Sequence, residues 1–413
     1  MILGVPTETD PGETRVAVVP PVAATLVEEG YEVCVASGAG ERSDWSDDDY
    51  RDAGCEIVAD REAVFERADI VAHVTGLAAA ANDDVDRYRE EQIVVGQLGP
   101  YDLDEELALL ADRGVTAFAL ELMPRISRAQ SMDALSSMAS IGGYKSAIVA
   151  AERLPKMFPL QMTAAGTVQP AEVFVIGAGV AGLQAIATAD RLGAAVRGYD
   201  IRLEVKQEVE SLGADFVELD LETEGTGDEQ GYAQEMDEEF YRQQRKALTR
   251  VVGESDVVIT TAAIPGRPAP ELVTTEMVEG MDPGSIVIDL AAATGGNCDL
   301  TVPDETVEHA GVEIYGPTNL PATVAHHASQ LYANNVRNFL QNLFQGDGRT
   351  LDVDDEVVDA TMLTHDGEIR WVHPADREEE SADATDSDDD DAGSAADGDS
   401  DTEAPDEGAE TDD

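Results

Sequence analysis

Basic residues are scarce in this sequence, and lysine is the scarcest of them. Lys and Arg together number 26 against 86 Asp and Glu, which gives a formal net charge of −60. A surface this acidic repels nucleic acid and anionic membranes, so both are excluded as electrostatic partners. The lysines of the chain are Lys145, Lys156, Lys206 and Lys246.

The excess of acid extends along the chain, with dense stretches at 44–49 and 218–239 as well as at the C-terminal end. In molar salt the Debye length falls to about 3 Å, and the repulsion between like charges is screened. Acid excess combined with lysine depletion therefore indicates a halophilic protein. The alternative is an ordinary protein that carries an acidic tail.

Cysteines and long apolar runs are also few. The three cysteines, Cys34, Cys55 and Cys298, form no CxxC pair and no metal-ligand spacing. They are predicted to be buried in a protein of a reducing compartment. No apolar run approaches the roughly 18 residues of a membrane span, and no signal peptide is recognisable. These absences predict a cytoplasmic protein without a metal site and without direct membrane insertion.

Short apolar runs alternate with helical segments over the first 120 residues. This rhythm predicts a parallel sheet covered by helices. Gly38-Ala39-Gly40 has two glycines of a nucleotide-binding loop, but Ser43 replaces the third, which favours a simple turn. The expected strands are 2–5, 32–36, 70–74, 93–97 and 115–120, and the expected helices are 20–29 and 104–113.

A strand, a glycine loop, a helix and a second strand follow one another at residues 171–200. The strand Glu172–Ile176 enters the loop Gly177–Gly182, and the second strand, 195–199, ends at Asp200. The complete unit at this spacing predicts a dinucleotide site, because the helix N-terminus supplies amide donors to a pyrophosphate. The alternative is a glycine turn in an ordinary βαβ unit.

Each residue of this unit has an expected role. Gly177 permits the tight turn, Gly179 lets the backbone approach the pyrophosphate, and Gly182 allows close packing of the helix. Ala178 and Val180 complete the loop that contacts the cofactor. Asp200 is expected to bind the ribose hydroxyls and to repel the extra phosphate of NADP(H), which favours NAD(H).

Three further strands are expected after this unit, at 215–219, 256–261 and 285–290. Long helices at 131–154 and 322–343 bracket this second block. The expected fold class is therefore α/β, with two Rossmann-like domains built on parallel sheets, the second inserted into the first and joined to it by long helices. The expected domains are residues 1–135 with 322–375, the dinucleotide domain 136–321, and an acidic, disordered tail 376–413.

The segment 221–237 is long for a loop inside a compact domain. It carries Gly231 and Tyr232, its one aromatic residue. A mobile lid over the cofactor is favoured over a passive insert.

A run of polar residues, Arg125–Ser137, precedes the first long helix. Beside a dinucleotide domain, such a run supplies polar groups for a nicotinamide and its ribose. The alternative is the polar first turn of a helix that Ser131 caps and whose dipole Asp133 favours.

Through this run the sequence resembles the NAD(H)-binding alpha subunit of proton-translocating NAD(P) transhydrogenase, in the alanine dehydrogenase/transhydrogenase family. The resemblance covers residues 1 to about 345, and the run itself is highly specific. Further matching segments are 13–17, 163–166, 231–233, 264–270 and 295–298.

The resemblance implies roles for the matching residues. Gln130 brings two nicotinamides together, and Tyr232 lies on a loop that closes over NAD(H). The residues around the nicotinamide are Arg125, Gln130, Asp133 and Ser136, with Ile126, Ser127, Ser131 and Met132 beside them. Those at the adenosine ribose are Asp200, Ile201 and Arg202, and Gln244 and Ala263 line the remaining site.

The resemblance also implies partners. NADP(H) and the proton channel belong to separate NADP(H)-binding and membrane subunits, and hydride passes directly between the two nucleotides. The chain is then a homodimer in the cytoplasm, peripheral to the membrane through those subunits.

Alanine dehydrogenase is the nearest different function. Arg15 is retained, but His73 stands where a substrate lysine is expected, and Gln97 lies in a segment without the expected histidine. An alanine after Asp289 replaces the catalytic acid, so the amino-acid site looks dismantled. A third hypothesis is a non-catalytic module that senses NAD(H).

Overall fold

The computed structural model describes residues 1–77, 84–219, 238–344 and 350–373. Residues 1–371 form one compact unit, which contains both sheets. The candidate lid with Gly231 and Tyr232 and the acidic tail lie outside the described residues. No helix in the described ranges has the length and apolar character needed to cross a membrane.

The first block of the chain alternates strands and helices as the sequence predicts. The strands are β1 (Ile2–Val5), β2 (Glu32–Ala36), β3 (Glu56–Val58), β4 (Ile70–Thr75), β5 (Ile93–Gln97) and β6 (Thr116–Ala119). The helices are α1 (Pro20–Glu28), α2 (Asp47–Asp52), α3 (Arg61–Arg67), α4 (Asp104–Asp112) and α5 (Ala134–Arg153).

A hairpin and a second alternating block follow. The strands are β7 (Gln161–Thr163), β8 (Gly166–Val168), β9 (Glu172–Ile176), β10 (Ala195–Tyr199), β11 (Asp215–Phe216), β12 (Val257–Thr260), β13 (Ile286–Asp289), β14 (Thr306–His309) and β15 (Val312–Tyr315). The helices are α6 (Val180–Arg191), α7 (Lys206–Ser211), α8 (Glu238–Gly253) and α9 (Thr275–Glu279).

The chain then returns to the first sheet. It does so through α10 (Ala325–Leu343), α11 (Glu356–Thr361), β16 (Met362–His365) and β17 (Glu368–Ile369). Short 3-10 turns lie at Glu41–Ser43, Asp84–Arg87, Pro100–Asp102, Leu120–Leu122, Ser127–Met132, Leu203–Val205, Ala292–Thr294 and Leu320–Val324.

The first sheet has the strand order β17-β16-β6-β5-β4-β1-β2-β3 within the described residues. The strands from β6 to β3 are parallel, and β16 joins β6 in the antiparallel direction. Leu3, Val71 and Val94 are fully buried together with Phe339 of α10. Continuous apolar strands are typical of a parallel sheet that is covered on both faces.

The second sheet has the order β11-β10-β9-β12-β13-β15-β14. Its strands run parallel except β14 at the edge. The side chains of β9 alternate between two cores: Val173 and Val175 face one cluster, and Phe174 and Ile176 face the other. The chain order reverses at β9, which makes a crevice at its carboxyl end.

The α/β fold class with two Rossmann-like domains is confirmed, whereas the exact domain limits stay a prediction. Two expected details were wrong. The first long helix begins at Ala134 and not at Ser131, because the preceding residues form the turn Ser127–Met132 and Asp133 is the N-cap. The strand expected at 215–219 is only Asp215–Phe216.

Candidate dinucleotide site

A pocket of about 540 Å³ lies at the carboxyl ends of β9, β10 and β12. Ligands bind at this position in open parallel sheets, because the chain reversal leaves room between the loops. The loops after β9 and β12 form one side of its wall, and α5 forms another. The first sheet contributes Tyr101, Glu121 and Arg125, so one pocket joins both sheets.

The glycine loop has two kinds of glycine. Gly177 has φ of +98°, and a Cβ at Gly182 would overlap the carbonyl oxygen of Gly177. These two are therefore required by the folded chain itself. A Cβ at Gly179 would meet no protein atom within 4 Å, although Gly179 lines the pocket. The open side of this loop, at the N-terminus of α6, fits a dinucleotide pyrophosphate.

Asp200 is anchored, with only 5% of its surface exposed. Its Oδ2 accepts a hydrogen bond from the backbone N–H of Ala178 at 2.7 Å. Its Oδ1 accepts from the backbone N–H and the Nε of Arg202, both at 2.9 Å. The carboxylate therefore ties the glycine loop to the end of β10, a role that the sequence analysis missed. It also raises the pKa of the Arg202 guanidinium.

Two adjacent glycines fix α5 against the dinucleotide helix α6. A Cβ at Gly143 would overlap the carbonyl oxygen of Ala181, so the two helices cross in backbone contact. A Cβ at Gly142 would meet nothing within 4 Å, and Gly142 lines the pocket. The N-terminal end of α5 is thereby held at the pocket.

The polar run divides into residues at the pocket and residues behind it. Arg125 and Ser136 line the pocket. Asp133 caps α5, because its Oδ1 accepts from the backbone N–H of Ser136 at 2.8 Å. Its other oxygen accepts from the Ser136 hydroxyl. Asp133 thus orients Ser136.

The turn Ser127–Met132 is fixed by its own flanks. The carbonyl oxygen of Ser131 accepts from the side-chain amides of Asn335 and Asn338 of α10, at 3.0 and 2.9 Å. Arg128 pairs with Asp355 at 2.9 Å. These contacts hold the exposed residue Gln130 on a fixed backbone.

Gln244 of α8 lies beside Tyr199 at the other end of the pocket. Its Nε2 donates to the Tyr199 hydroxyl at 2.9 Å, and burial raises the pKa of Tyr199 to about 12. The Oε1 of Gln244 is buried and has no hydrogen-bond partner within the described segments of the chain. This oxygen can accept from a ligand in the pocket.

The loop after β12 is clamped by a residue that the sequence analysis did not assign. The Nδ2 of Asn297 donates to the carbonyl oxygen of Ala262 at 2.8 Å, and its Oδ1 accepts from the Ala262 N–H at 3.0 Å. Asp289, fully buried, accepts from the N–H of Asn297 at 2.7 Å. The segment Gly295–Cys298 of the family resemblance was the signal for this clamp.

The expected site residues fall into two groups. In the pocket wall lie Arg125, Ser136, Gly177, Gly179, Val180, Asp200, Ile201, Arg202, Gln244 and Ala263. Outside the wall, among the described residues, lie Ile126, Ser127, Gln130, Ser131, Met132, Asp133, Ala178 and Gly182. The roles of both groups toward a ligand stay predictions.

Glu121 is a wall residue that the sequence analysis missed. Its Oε1 accepts from the backbone N–H of Gly99 at 2.6 Å, whereas its Oε2 is buried without a hydrogen-bond partner in the described residues. Burial raises the pKa of this carboxyl to about 7.

The residues expected for an amino-acid substrate are withdrawn from the pocket. Arg15 is 5% exposed, and its Nε donates to the Glu13 carboxylate at 2.8 Å. His73 is fully buried, with its Nε2 at 3.0 Å from the Tyr88 hydroxyl, and burial lowers its pKa well below the ordinary value. Neither Arg15 nor His73 belongs to the described pocket wall.

The cysteines are buried and unpaired, as predicted. Burial raises the pKa of Cys298 to about 12 and that of Cys34 to about 11, so these thiols are unreactive. No group of three or more His, Cys, Asp or Glu in the described ranges could hold a metal ion.

Comparison with known proteins places the chain. Family models described as the N-terminal and C-terminal domains of Alanine dehydrogenase/PNT match residues 4–142 and 146–372. An NAD(P) transhydrogenase alpha subunit of Rhodospirillum rubrum is 46% identical over 380 residues, which are 91% of this chain and 98% of the relative. Alanine dehydrogenase of Mycolicibacterium smegmatis is 28% identical over 376 residues, 89% of this chain and 94% of the relative.

The crystal structure of transhydrogenase from Sinorhizobium meliloti superposes with a TM-score of 0.80 at 41% identity. It covers 89% of this chain and 100% of that chain. Over both of its domains, the chain belongs to the alanine dehydrogenase/PNT family.

Proposed function

We propose that this chain is the NAD(H)-binding alpha subunit of a proton-translocating NAD(P) transhydrogenase. Hydride passes directly between NAD(H) on this chain and NADP(H) on a partner subunit, coupled to proton movement across the membrane. The observation that carries the proposal is the pocket that joins the glycine loop to Arg125 and Ser136. The relatives named as transhydrogenase alpha subunits support it.

Direct hydride transfer requires close approach and orientation of two nicotinamide rings, and no general acid or base. Asp200 and Arg202 hold the adenosine ribose, and the glycine loop holds the pyrophosphate. Arg125, Asp133 and Ser136 orient the nicotinamide end. Gln130, exposed on its fixed turn, faces the second nucleotide.

The burial of Arg15 and His73 argues against an alanine dehydrogenase. A keto acid needs cationic groups inside the pocket, whereas Arg15 is neutralised by Glu13 and His73 is held uncharged by burial. The relatives named alanine dehydrogenase have lower identity than those named transhydrogenase.

The proposal is tested by reconstitution with the NADP(H)-binding and membrane subunits in sealed vesicles. NADH deuterated at C4 should transfer deuterium to NADP⁺, with simultaneous proton movement reported by a trapped pH indicator. Transfer without proton movement would remove the coupling. Reduction of NAD⁺ by alanine with the isolated chain would establish the dehydrogenase instead. NADH binding with no transfer in either assay would establish a sensing module.

The hairpin β7–β8 supports a homodimer. All its residues are exposed, including Met162 at 75% and Val168 at 45%. An isolated two-stranded hairpin is marginally stable in water, so a second copy of the chain is the expected cover. Met162→Lys should convert the dimer into a monomer in light scattering, whereas Thr167→Lys in the facing strand should weaken it less. A chain that is monomeric before any substitution would disprove this arrangement.

The net charge of −60 supports a halophilic protein of the cytoplasm that reaches the membrane through its partners. Because salt screens the repulsion between acidic groups, the melting temperature should rise steeply with KCl up to molar concentration. A melting temperature that is independent of KCl would disprove halophilic adaptation.

A further inference from the structure

Glu121 presents an unsatisfied buried oxygen to the pocket. It lies in the turn Leu120–Leu122 that follows β6, and only its Oε1 is occupied, by the N–H of Gly99. Its Oε2 has no partner within the described residues. Leaving such an acceptor without a hydrogen bond costs about 1–3 kcal/mol, so its presence in a ligand pocket calls for a donor.

The sheet order shows which end of a dinucleotide reaches Glu121. Asp200 at the end of β10 marks the adenosine side of β9, and β12 and β13 lie on the opposite side. The nicotinamide therefore lies over the ends of β12 and β13. The turn Pro100–Asp102, next to Gly99, also reaches this side: a Cβ at Gly266 in the loop after β12 would lie 2.7 Å from the Tyr101 ring. Glu121 is consequently on the nicotinamide side.

A nicotinamide offers one strong donor, the N–H₂ of its carboxamide. The polar neighbours at this end are poor acceptors for it. The guanidinium of Arg125 is a donor only, and both oxygens of Asp133 are already engaged by Ser136. Among the described wall residues, Glu121 is the one whose buried carboxyl oxygen still lacks a donor.

We infer that Glu121 accepts a hydrogen bond from the carboxamide N–H of the bound nicotinamide through Oε2, and so fixes which face of the ring is presented for hydride transfer. This inference rests on the proposed function. The bond prevents rotation of the ring about its glycosidic bond, because the carboxamide lies on one edge of the ring.

The test compares three ligands by calorimetry at pH 8 with the full chain. These are NADH, its reduced 3-acetylpyridine analogue, which keeps the carbonyl and lacks the N–H, and ADP-ribose, which lacks the ring. The wild-type chain should bind the analogue about tenfold more weakly than NADH, the effect of one hydrogen bond to a charged acceptor. Equal affinities for the two would overturn the inference without any variant.

Variants then assign the effect to one side chain. Glu121→Ala should abolish the preference for NADH over the analogue and leave ADP-ribose affinity within twofold of the wild-type value. Glu121→Gln, whose amide oxygen can accept, should restore some of the preference. Glu105→Gln, on the exposed surface of α4, is the matched control. A preference that persists in Glu121→Ala would overturn the inference, whereas a wild-type chain that binds ADP-ribose but not NADH would contradict the proposed function itself.

Discussion

Asn297 holds Ala262 from both sides, donating to its carbonyl oxygen at 2.8 Å and accepting from its N–H at 3.0 Å. The same side chain also donates to the carbonyl oxygen of Pro270 at 2.8 Å. Since Ala262 and Ala263 lie in the pocket wall, one amide group sets the shape of the loop after β12. This pair links the buried core around Asp289 to the site.

Substitution of Asn297 by alanine should affect both folding and binding. Three buried hydrogen bonds are lost, at about 1 kcal/mol each, so the free energy of unfolding should fall by about 2–3 kcal/mol in urea titrations. NADH affinity should fall with it, because the loop loses its fixed position. The exposed residue Asn334 provides the control: Asn334→Ala should change neither quantity. Unchanged NADH affinity in Asn297→Ala would contradict a positioning role.

The adjacent glycines of α5 should respond in opposite ways to alanine. Gly143→Ala forces α5 away from the Ala181 carbonyl and should lower the free energy of unfolding by about 1–3 kcal/mol. Gly142→Ala meets open space and favours the helix by up to about 1 kcal/mol, yet its methyl group narrows the pocket. Thermal unfolding and NADH calorimetry separate the two. Equal stability losses would contradict the close helix crossing.

Asp200→Ala should weaken NADH binding through two effects. The variant removes the expected ribose acceptor, and it releases the Ala178 N–H and the Arg202 guanidinium from their carboxylate partner. Affinity for NADH should fall about tenfold or more, while affinity for NADPH should fall less, because the repulsion of its 2′-phosphate is removed. Calorimetry with both nucleotides is the measurement. An unchanged ratio of the two affinities would refute the ribose role.

The Glu121 carboxyl should make stability depend on pH. Its pKa is raised by burial from 4.5 to about 7, so between these values the folded chain binds a proton that the unfolded chain releases. The free energy of unfolding therefore falls as pH rises, by at most about 1.4 kcal/mol per pH unit. Glu121→Gln carries no such proton, so its stability relative to wild type should rise from pH 4.5 to 7 and then level off. A constant difference across urea titrations at these pH values would contradict the raised pKa.

Gln130→Asn should separate approach from binding. Because Gln130 lies outside the pocket wall on a fixed turn, the shorter amide should leave NADH affinity within about threefold. Hydride transfer to NADP⁺ in the reconstituted enzyme should slow by at least about tenfold, since the two rings lose a contact that holds them together. Equal losses in stopped-flow rate and in calorimetric affinity would assign Gln130 to ordinary binding.

The dinucleotide unit could be predicted because all its components are local. The strand Glu172–Ile176, the loop Gly177–Gly182 and Asp200 follow one another within about thirty residues, and each has a residue type that its backbone or its ligand requires. The structure confirms the strand, the helix and the two crowded glycines. The start of α5 was misplaced because the turn before it is held by Asn335 and Asn338 of a distant helix.

By itself, the sequence determined the α/β class, the alternation of strands and helices, and the glycine loop, because periodicity and steric requirements act over neighbouring residues. The tertiary structure alone decided which polar groups meet at the pocket. Glu121 reaches Gly99 across 22 residues, and Asn297 reaches Ala262 across 35. Such contacts depend on the order in which strands pair in a sheet, and no local pattern encodes that order.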